Sequence, residues 1–430
     1  MEMSIWLTVS IIILLALMGT GVPIFAAFAL VGGISMLFYL GLPFESVAHM
    51  FFSSVDKLTL LSIPFFILAG SIMNIGGISK RLINITNAFI GHFPGGMALS
   101  AILATTIFGS LSGSNAATAV AIGTMMIPQM VELGYERRFC GAMICGSTSI
   151  GILIPPSVAA IIFGYATEMP VGKLFMAGIL PGLLLAGLSA VLAIWISRRR
   201  NYPKSPRSTW DVRGKALLKG IPALLMPVLI LGGIYGGFFT VTEAAAVGVI
   251  YALSVSFFVY RELTWNNLWS GFIQAVSTTA NIYFLIASAM IIGKVLVILR
   301  VPQALTHAVM ASGLNSLSFS FLALLLILIL GTFLEAAVMI LVTMPIFMPV
   351  ISALGTDPFM FYAMMTIMIG VGQITPPVGI LLYIMSDVSV EPVESLFRES
   401  FIWLIALVVT AVIVVLFPCL SSWLPGTMHG

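Results

Sequence analysis

Twelve apolar runs, each bounded by charges or by Gly/Pro punctuation, fill most of this 430-residue chain. They lie near 4–22, 24–41, 58–79, 98–131, 139–165, 174–197, 220–239, 241–260, 270–298, 317–352, 359–385 and 400–424. A helix needs about 20 apolar residues to cross a bilayer. Inside lipid every backbone polar group must be satisfied within the protein, which leaves only helices and closed barrels. The runs are continuous, whereas barrel strands alternate, so they predict helices. Charged residues make up 8% of the chain, against about 25% in soluble domains. The expectation is an all-α polytopic membrane protein. No basic flank precedes the first run, since only Glu2, Glu45 and Asp56 are charged before Lys57. That run therefore reads as a retained span, not a cleaved leader. The net charge of +3 selects no partner, and no patch of interleaved basic and aromatic residues points to nucleic acid.

Two runs, 98–131 and 317–352, are too long for one span and are interrupted midway by small or polar residues. Each predicts a re-entrant hairpin. Orientation follows from basic residues, which favour the cytoplasmic side. Arg198, Arg199, Arg200, Lys204, Arg207, Arg213, Lys215 and Lys219 cluster in 198–219, opposed only by Asp211. Placing that connector inside and counting spans outward puts Lys80, Arg81, Arg137, Arg138 and Arg261 inside as well. The first hairpin then enters from the cytoplasm and the second from outside.

The same count predicts an inverted repeat. The double proline Pro155-Pro156 returns 221 residues later as Pro376-Pro377. At that offset Pro128 meets Pro349, Gly134 meets Gly355 and Gly151 meets Gly372. Pro and Gly matches count for more than Ala or Met matches in an oily chain, because each fixes backbone geometry. Inverted halves with paired broken helices are typical of secondary transporters, which bind substrate near the midplane where the repeats meet. The units expected are scaffold helices in 1–97, a first transport repeat in 98–197, the basic connector 198–219, second scaffold helices in 220–316 and a second transport repeat in 317–424.

Four breaks carry the candidate chemistry: the tip from Gly109 to Asn115, the segment from Gly151 to Ser157, the tip from Gly331 to Ala336, and Gly372 to Pro377. A tip inside the bilayer strands backbone groups that protein, water or ions must satisfy. Proline frees further carbonyls, because it donates no hydrogen bond and blocks its i−4 partner. Neutral oxygens from Ser112, Ser114 and Asn115 beside those carbonyls suit sodium, and the second pair adds the Glu335 carboxylate. Helix N-termini at the tips suit an anion. Glu335 is equally able to cap its own half-helix, although an intramembrane acid is a functional candidate by default.

Other conspicuous residues have blander readings. Glu243 after Thr240 reads as a helix cap, and Lys294 and Arg300 as side chains reaching the interface. Asp56 and Lys57 read as loop charges that could meet a partner. His49, His92, His307 and His429 show no ligand spacing. Cys140, Cys145 and Cys419 read as buried small apolar residues. An intramembrane enzyme would need a Ser/His pair, paired acids or a metal motif. No His lies near a tip, and no two acids are expected on one membrane helix.

The Gly-Ser-Leu-Ser-Gly-Ser-Asn-Ala-Ala tip, the segment from Ile374 through Pro376-Pro377 to Gly379, and Gly21-Val22-Pro23-Ile24 together resemble the large membrane subunit of tripartite ATP-independent periplasmic (TRAP) transporters. The resemblance covers essentially the whole chain. It implies a sodium-coupled importer of organic acids in the bacterial inner membrane, with a scaffold and a mobile elevator domain. It also implies a small four-helix membrane subunit and a periplasmic protein that delivers substrate. No further block of about four spans flanks the runs, so the small subunit is expected as a separate chain. About two sodium sites are expected, the first from Ser112, Ser114, Asn115, Gly151 and Pro155. The second draws on Gly331, Thr332, Glu335, Gly372 and Thr375. The anion, of the sialic acid or C4-dicarboxylate class, is expected between the tips at Ser114, Asn115, Ser157, Glu335 and Gly379. Ser114 aligns with Glu335 and Asn115 with Ala336, so the second site is not a copy of the first. A stand-alone sodium–dicarboxylate symporter is the main rival and a passive channel a weaker one.

Overall fold

The computed structural model describes residues 2–428, apart from the side chains of residues 2–5 and Leu111; His429 lies outside it. Every regular element among the described residues is helical. Seven helices are long and apolar enough, by length and composition, to cross a membrane. The pair Arg137–Leu153 and Val158–Thr167, bent by 47°, makes an eighth if counted as one span. The chain is a multi-pass membrane protein.

Both over-long runs divide in the middle. The first gives Gly96–Ser112 and Asn115–Glu132, and the chain turns at Gly113, whose φ of +63° favours glycine. The second gives Ser316–Gly331 and Ala336–Leu354. The double prolines likewise end helices, separating Arg137–Leu153 from Val158–Thr167 and Pro358–Gln373 from Ile380–Ser389. The longer pieces of the two broken helices form the centre of the molecule. Every residue from Phe139 to Leu153 and from Met360 to Gly372 is buried. These pieces are apolar or small on all sides, as a fully enclosed helix must be.

Equivalent pieces of the two halves exchange contacts. Asn115–Glu132 packs on Ile380–Ser389, while its counterpart Ala336–Leu354 packs on Val158–Thr167. The two central pieces pack on each other where Ser149 faces Gly370; a Cβ added to Gly370 would lie 2.2 Å from Ser149 Oγ. Those residues stand at the same 221-residue offset as the double prolines. Outside this centre, Ile24–Ile34 packs along Trp265–Ile298, and Val241–Ser254 along Ser62–Ile75. Both Ile24–Ile34 and Val241–Ser254 continue into π-helical turns, Ser35–Tyr39 and Val255–Val259.

The helix Trp210–Tyr235 begins inside the basic connector 198–219. Arg213, on that helix, is buried: its Nε donates to the Ala88 carbonyl at 3.2 Å and its guanidinium faces the Trp210 ring. Three expectations need correction. Helices Phe44–Ser53, Ile78–Ile90 and Val301–Ala311 were missed or merged, since they are short or amphipathic and do not form separate apolar runs. Cys140 and Cys145 are buried, but Cys419 is exposed, at the start of a separate helix Cys419–Thr427 after Pro418. Glu394 and Glu399 share the membrane-length helix Val393–Leu416, near its first turns, where charge can reach the interface.

Candidate functional site

The hairpin tips press against the breaks at two glycine pairs. A Cβ added to Gly151 would lie 2.5 Å from Gly109 Cα, and one added to Gly372 would lie 2.3 Å from the Gly331 carbonyl carbon. Backbone approaches backbone in both halves, which only glycine allows at such range.

Three of the four half-helices that start at a break carry a side-chain cap. Ser114 Oγ accepts from the Ala117 N–H at 3.3 Å, and Ser157 Oγ accepts from the Ala160 N–H at 3.4 Å. Glu335 caps Ala336–Leu354, accepting from the Ala337 N–H at 3.3 Å. Gly379 precedes Ile380–Ser389 with φ +49°. Serines and acids favour these positions because their oxygens satisfy the free N–H groups of the first turn.

All four of these helix starts border one cavity of about 100 Å³. Its wall includes Ser114, Asn115, Val158, Glu335, Gln373 and Ile380. The structure thus brings Ser114, Asn115 and Glu335 together, while Ser157 and Gly379 immediately precede the helices whose first residues form the wall. Asn115 Nδ2 donates to Gln373 Oε1 at 2.6 Å, tying the first tip to the second broken helix. Asn115 Oδ1 is buried without a hydrogen-bond partner. A buried amide oxygen of this kind keeps both lone pairs free to accept.

The expected ion ligands fall into two neighbourhoods. Ser112 Oγ meets Thr118 Oγ1 at 2.7 Å and the Ser114 carbonyl at 3.3 Å. Gly151 packs on the same tip through Gly109, and Pro155 is buried in the adjoining break. In the second half, Thr332 and Thr375 donate to the carbonyls of Ile329 and Val371, at 2.8 and 2.6 Å. Those hydroxyl protons are committed, and their lone pairs remain. No group of three or more His, Cys, Asp or Glu gathers among the described residues, so these neighbourhoods offer neutral oxygens with one carboxylate.

Two larger clefts lie elsewhere in the helix bundle, one of them adjoining the small cavity. One of about 360 Å³ holds Ser112, Ser114, Asn74, Gln274 and Thr278, and it shares Ser114 and Ala116 with the small cavity. The other, of about 630 Å³, gathers Lys57, Lys294 and Glu168 beside Tyr165, whose hydroxyl donates to the Ser54 carbonyl at 2.7 Å. Lys57 and Lys294 share one wall here, which their positions in sequence do not reveal. Gln373 also escaped the sequence-based assignment, although an amide ending an otherwise buried apolar helix was the available signal. Glu243 does cap its helix: Thr240 Oγ1 accepts from the Glu243 N–H at 3.3 Å, and the carboxylate accepts from the Thr240 N–H at 2.8 Å.

Known proteins place this architecture. The family model "Tripartite ATP-independent periplasmic transporter, DctM component" matches residues 11–420. The C4-dicarboxylate TRAP transporter large permease protein DctM of Vibrio cholerae is 36% identical, covering 97% of this chain and 97% of its own. The sialic acid TRAP transporter large permease protein SiaM of the same species is 35% identical over 89% of this chain and 90% of its own. The isethionate permease DctMQ of Oleidesulfovibrio alaskensis is 35% identical over 94% of this chain but only 64% of its own length. Among solved structures, the Alcanivorax borkumensis YdaH transporter shares the fold at a TM-score of 0.63 and 14% identity, over 90% of this chain and 89% of that one. The matched span, the full-length identity to large permeases and the paired tips and breaks agree: this chain belongs to the DctM family, the large permease component of tripartite ATP-independent periplasmic transporters.

Proposed function

We propose that this chain is the transport subunit of a sodium-coupled importer that carries an organic acid anion across the bacterial inner membrane. The observation that carries the reading is the meeting of four helix N-termini at one cavity between the two tips. Each terminus presents free N–H groups and a positive dipole end of roughly half a charge, an arrangement suited to a carboxylate. The substrates named for the relatives, C4-dicarboxylate and sialic acid, are such anions.

Sodium ions bind where each tip meets its break. Asn115 Oδ1 is a ready oxygen for the first ion, beside Ser112, Ser114 and the carbonyls near Gly151 and Pro155. Gly331, Thr332, Glu335, Gly372 and Thr375 supply the second. Ion binding draws the tip onto the break and sets the helix starts around the anion. Such coupling requires the ion to favour one state over the other.

With the basic segment inside, the cleft holding Asn74 and Gln274 is the inner vestibule, and the one holding Lys57 and Lys294 is the outer. The small cavity adjoins the inner one through Ser114 and Ala116. This is the inward-open state, and an elevator-like displacement of the hairpins and broken helices would carry the cavity to the outer vestibule. The anion arrives from a periplasmic binding protein, and a small membrane subunit braces the scaffold.

The test is uptake into proteoliposomes containing both membrane subunits. Asn115→Ala and Thr375→Ala are expected to weaken the sodium dependence, and unchanged dependence in both refutes the ion sites. Equal uptake without the binding protein indicates a stand-alone symporter, and uptake without a sodium gradient indicates a channel.

A further inference from the structure

Where the membrane-length helices Val171–Arg199 and Val393–Leu416 come together, a cleft of about 390 Å³ is walled by Trp195, Arg199, Arg200, Arg398, Glu399 and Ile402. Three guanidinium groups and the Glu399 carboxylate line it, and the Glu136 carboxylate reaches Arg200 from outside the wall. Arg200 is held in place, with Nη2 2.6 Å from Glu399 and Nη1 3.4 Å from Glu136. Arg199 and Arg398 are exposed, and neither has an ion pair among the described residues. Arg199 lies over the Trp195 ring, 5.4 Å from its centroid.

The surface beyond the cleft decides what kind of anion fits. One turn and more toward the middle of both helices stand Val191, Phe401 and Ile405, exposed by 63, 59 and 49%. The cleft is therefore basic at the helix ends and opens onto an apolar track that follows both helices inward. Trp195, half exposed between the two zones, has the amphipathic character that places indoles at headgroup level. Arginine forks match phosphate oxygens in bidentate fashion, and basic pockets between membrane helices on the cytoplasmic side hold anionic headgroups.

We propose that this cleft binds the phosphodiester of an anionic phospholipid in the cytoplasmic leaflet, with the acyl chains lying over Val191, Phe401 and Ile405. Arg199 and Arg398 clasp the phosphate from the two helices, and Arg200, anchored by Glu399, forms the base. The lipid thus bridges the last long helix of the first half to that of the second, independently of what the protein transports.

The experiment is native mass spectrometry of the purified transporter complex, titrated with phosphatidylglycerol, phosphatidylcholine or inorganic phosphate. The comparison is between wild type, an Arg199→Gln/Arg398→Gln double variant and an Arg207→Gln control. A basic residue near the membrane surface contributes about five-fold in affinity, so the double variant is expected to lose about 25-fold for phosphatidylglycerol. The control is expected to keep wild-type binding, and phosphatidylcholine to bind weakly to all three. Because both arginines are exposed, the double variant should elute as the intact complex. If it aggregates, the Arg398→Gln single variant, with about a five-fold loss expected, decides. Equal phosphatidylglycerol retention by wild type and variant overturns the proposal. So does displacement of the lipid by millimolar phosphate, which would make the cleft a soluble-anion site.

Discussion

Replacing Gly372 with alanine tests the contact on which the second half of the site depends. The new Cβ would sit 2.3 Å from the Gly331 carbonyl carbon and 2.5 Å from its Cα. Carbon atoms rest at roughly 3.5–4.0 Å, so the shortfall is about 1 Å. Both partners are backbone, and no side-chain rotation can relieve the clash. Overpacking of this kind costs about 1–3 kcal/mol, and a rigid backbone pair belongs at the upper end. Alanine regains about 1 kcal/mol of helix propensity over glycine, leaving Gly372→Ala destabilised by roughly 2 kcal/mol. The matched control is Gly187→Ala, where an added Cβ meets nothing within 4 Å and the same propensity gain of about 1 kcal/mol stands alone. The assay is thermal unfolding of the detergent-solubilised complex, with a sodium titration of uptake on the same preparations. The expected result is a midpoint for Gly372→Ala several degrees below that of Gly187→Ala, together with a weaker apparent sodium affinity. Equal midpoints would show that the hairpin and the broken helix are not held at this distance.

Three further outcomes are expected. Asn115→Ala and Gln373→Ala, combined in a double-mutant cycle on thermal stability, should show a coupling of about 0.5–3 kcal/mol, because the two amides share a buried hydrogen bond of 2.6 Å; strict additivity would mean that the tip and the second broken helix do not touch. Thr240→Ala should destabilise by about 1 kcal/mol through loss of the side-chain oxygen that caps Val241–Ser254, measured as the same midpoint shift and leaving sodium affinity unchanged. Glu335→Gln keeps an oxygen able to cap Ala336–Leu354 but removes the one carboxyl group, and any charge it carries, from the cavity wall. It should therefore tighten anion binding while weakening sodium dependence, and a variant that alters neither would restrict Glu335 to capping.

What the sequence discloses here is local, and what it conceals is long-range. The interruptions at Gly113 and Glu335, the ends before Pro155 and Pro376, and the Thr240–Glu243 cap all follow from residues within a few positions of one another. Each is a backbone preference or a capping reach, and neither depends on the rest of the fold. The Asn115–Gln373 bond joins positions 258 residues apart. Nothing in either neighbourhood specifies the other, even though the 221-residue offset was visible. The burial of Arg213 was hidden for a related reason. A basic residue in a basic stretch reads as solvated, and only the helix Ile78–Ile90 alongside supplies the Ala88 carbonyl and the Phe89 ring that take it in. The glycine pairs lie between these cases. The sequence marked Gly109, Gly151, Gly331 and Gly372 as special, and the structure shows that they are special in pairs.

The departure from symmetry at the two tips has a consequence for charge. Four helix starts contribute roughly half a positive charge each, about two in all. Had the halves remained identical, with Ser114 repeated at the second tip, that excess would be unopposed, and an anion would bind strongly without any ion. An empty carrier must return without its cargo, so tight ion-independent binding would stall it. An ionised Glu335 on the same wall would offset about half of the excess. A bound cation beside Glu335 would in turn cancel that offset and restore the full attraction for the anion. Under the proposed sodium coupling, glutamate in place of serine at the second tip would make the anion's affinity conditional on sodium, while the neutral first tip keeps the Asn115 oxygen and the tie to Gln373.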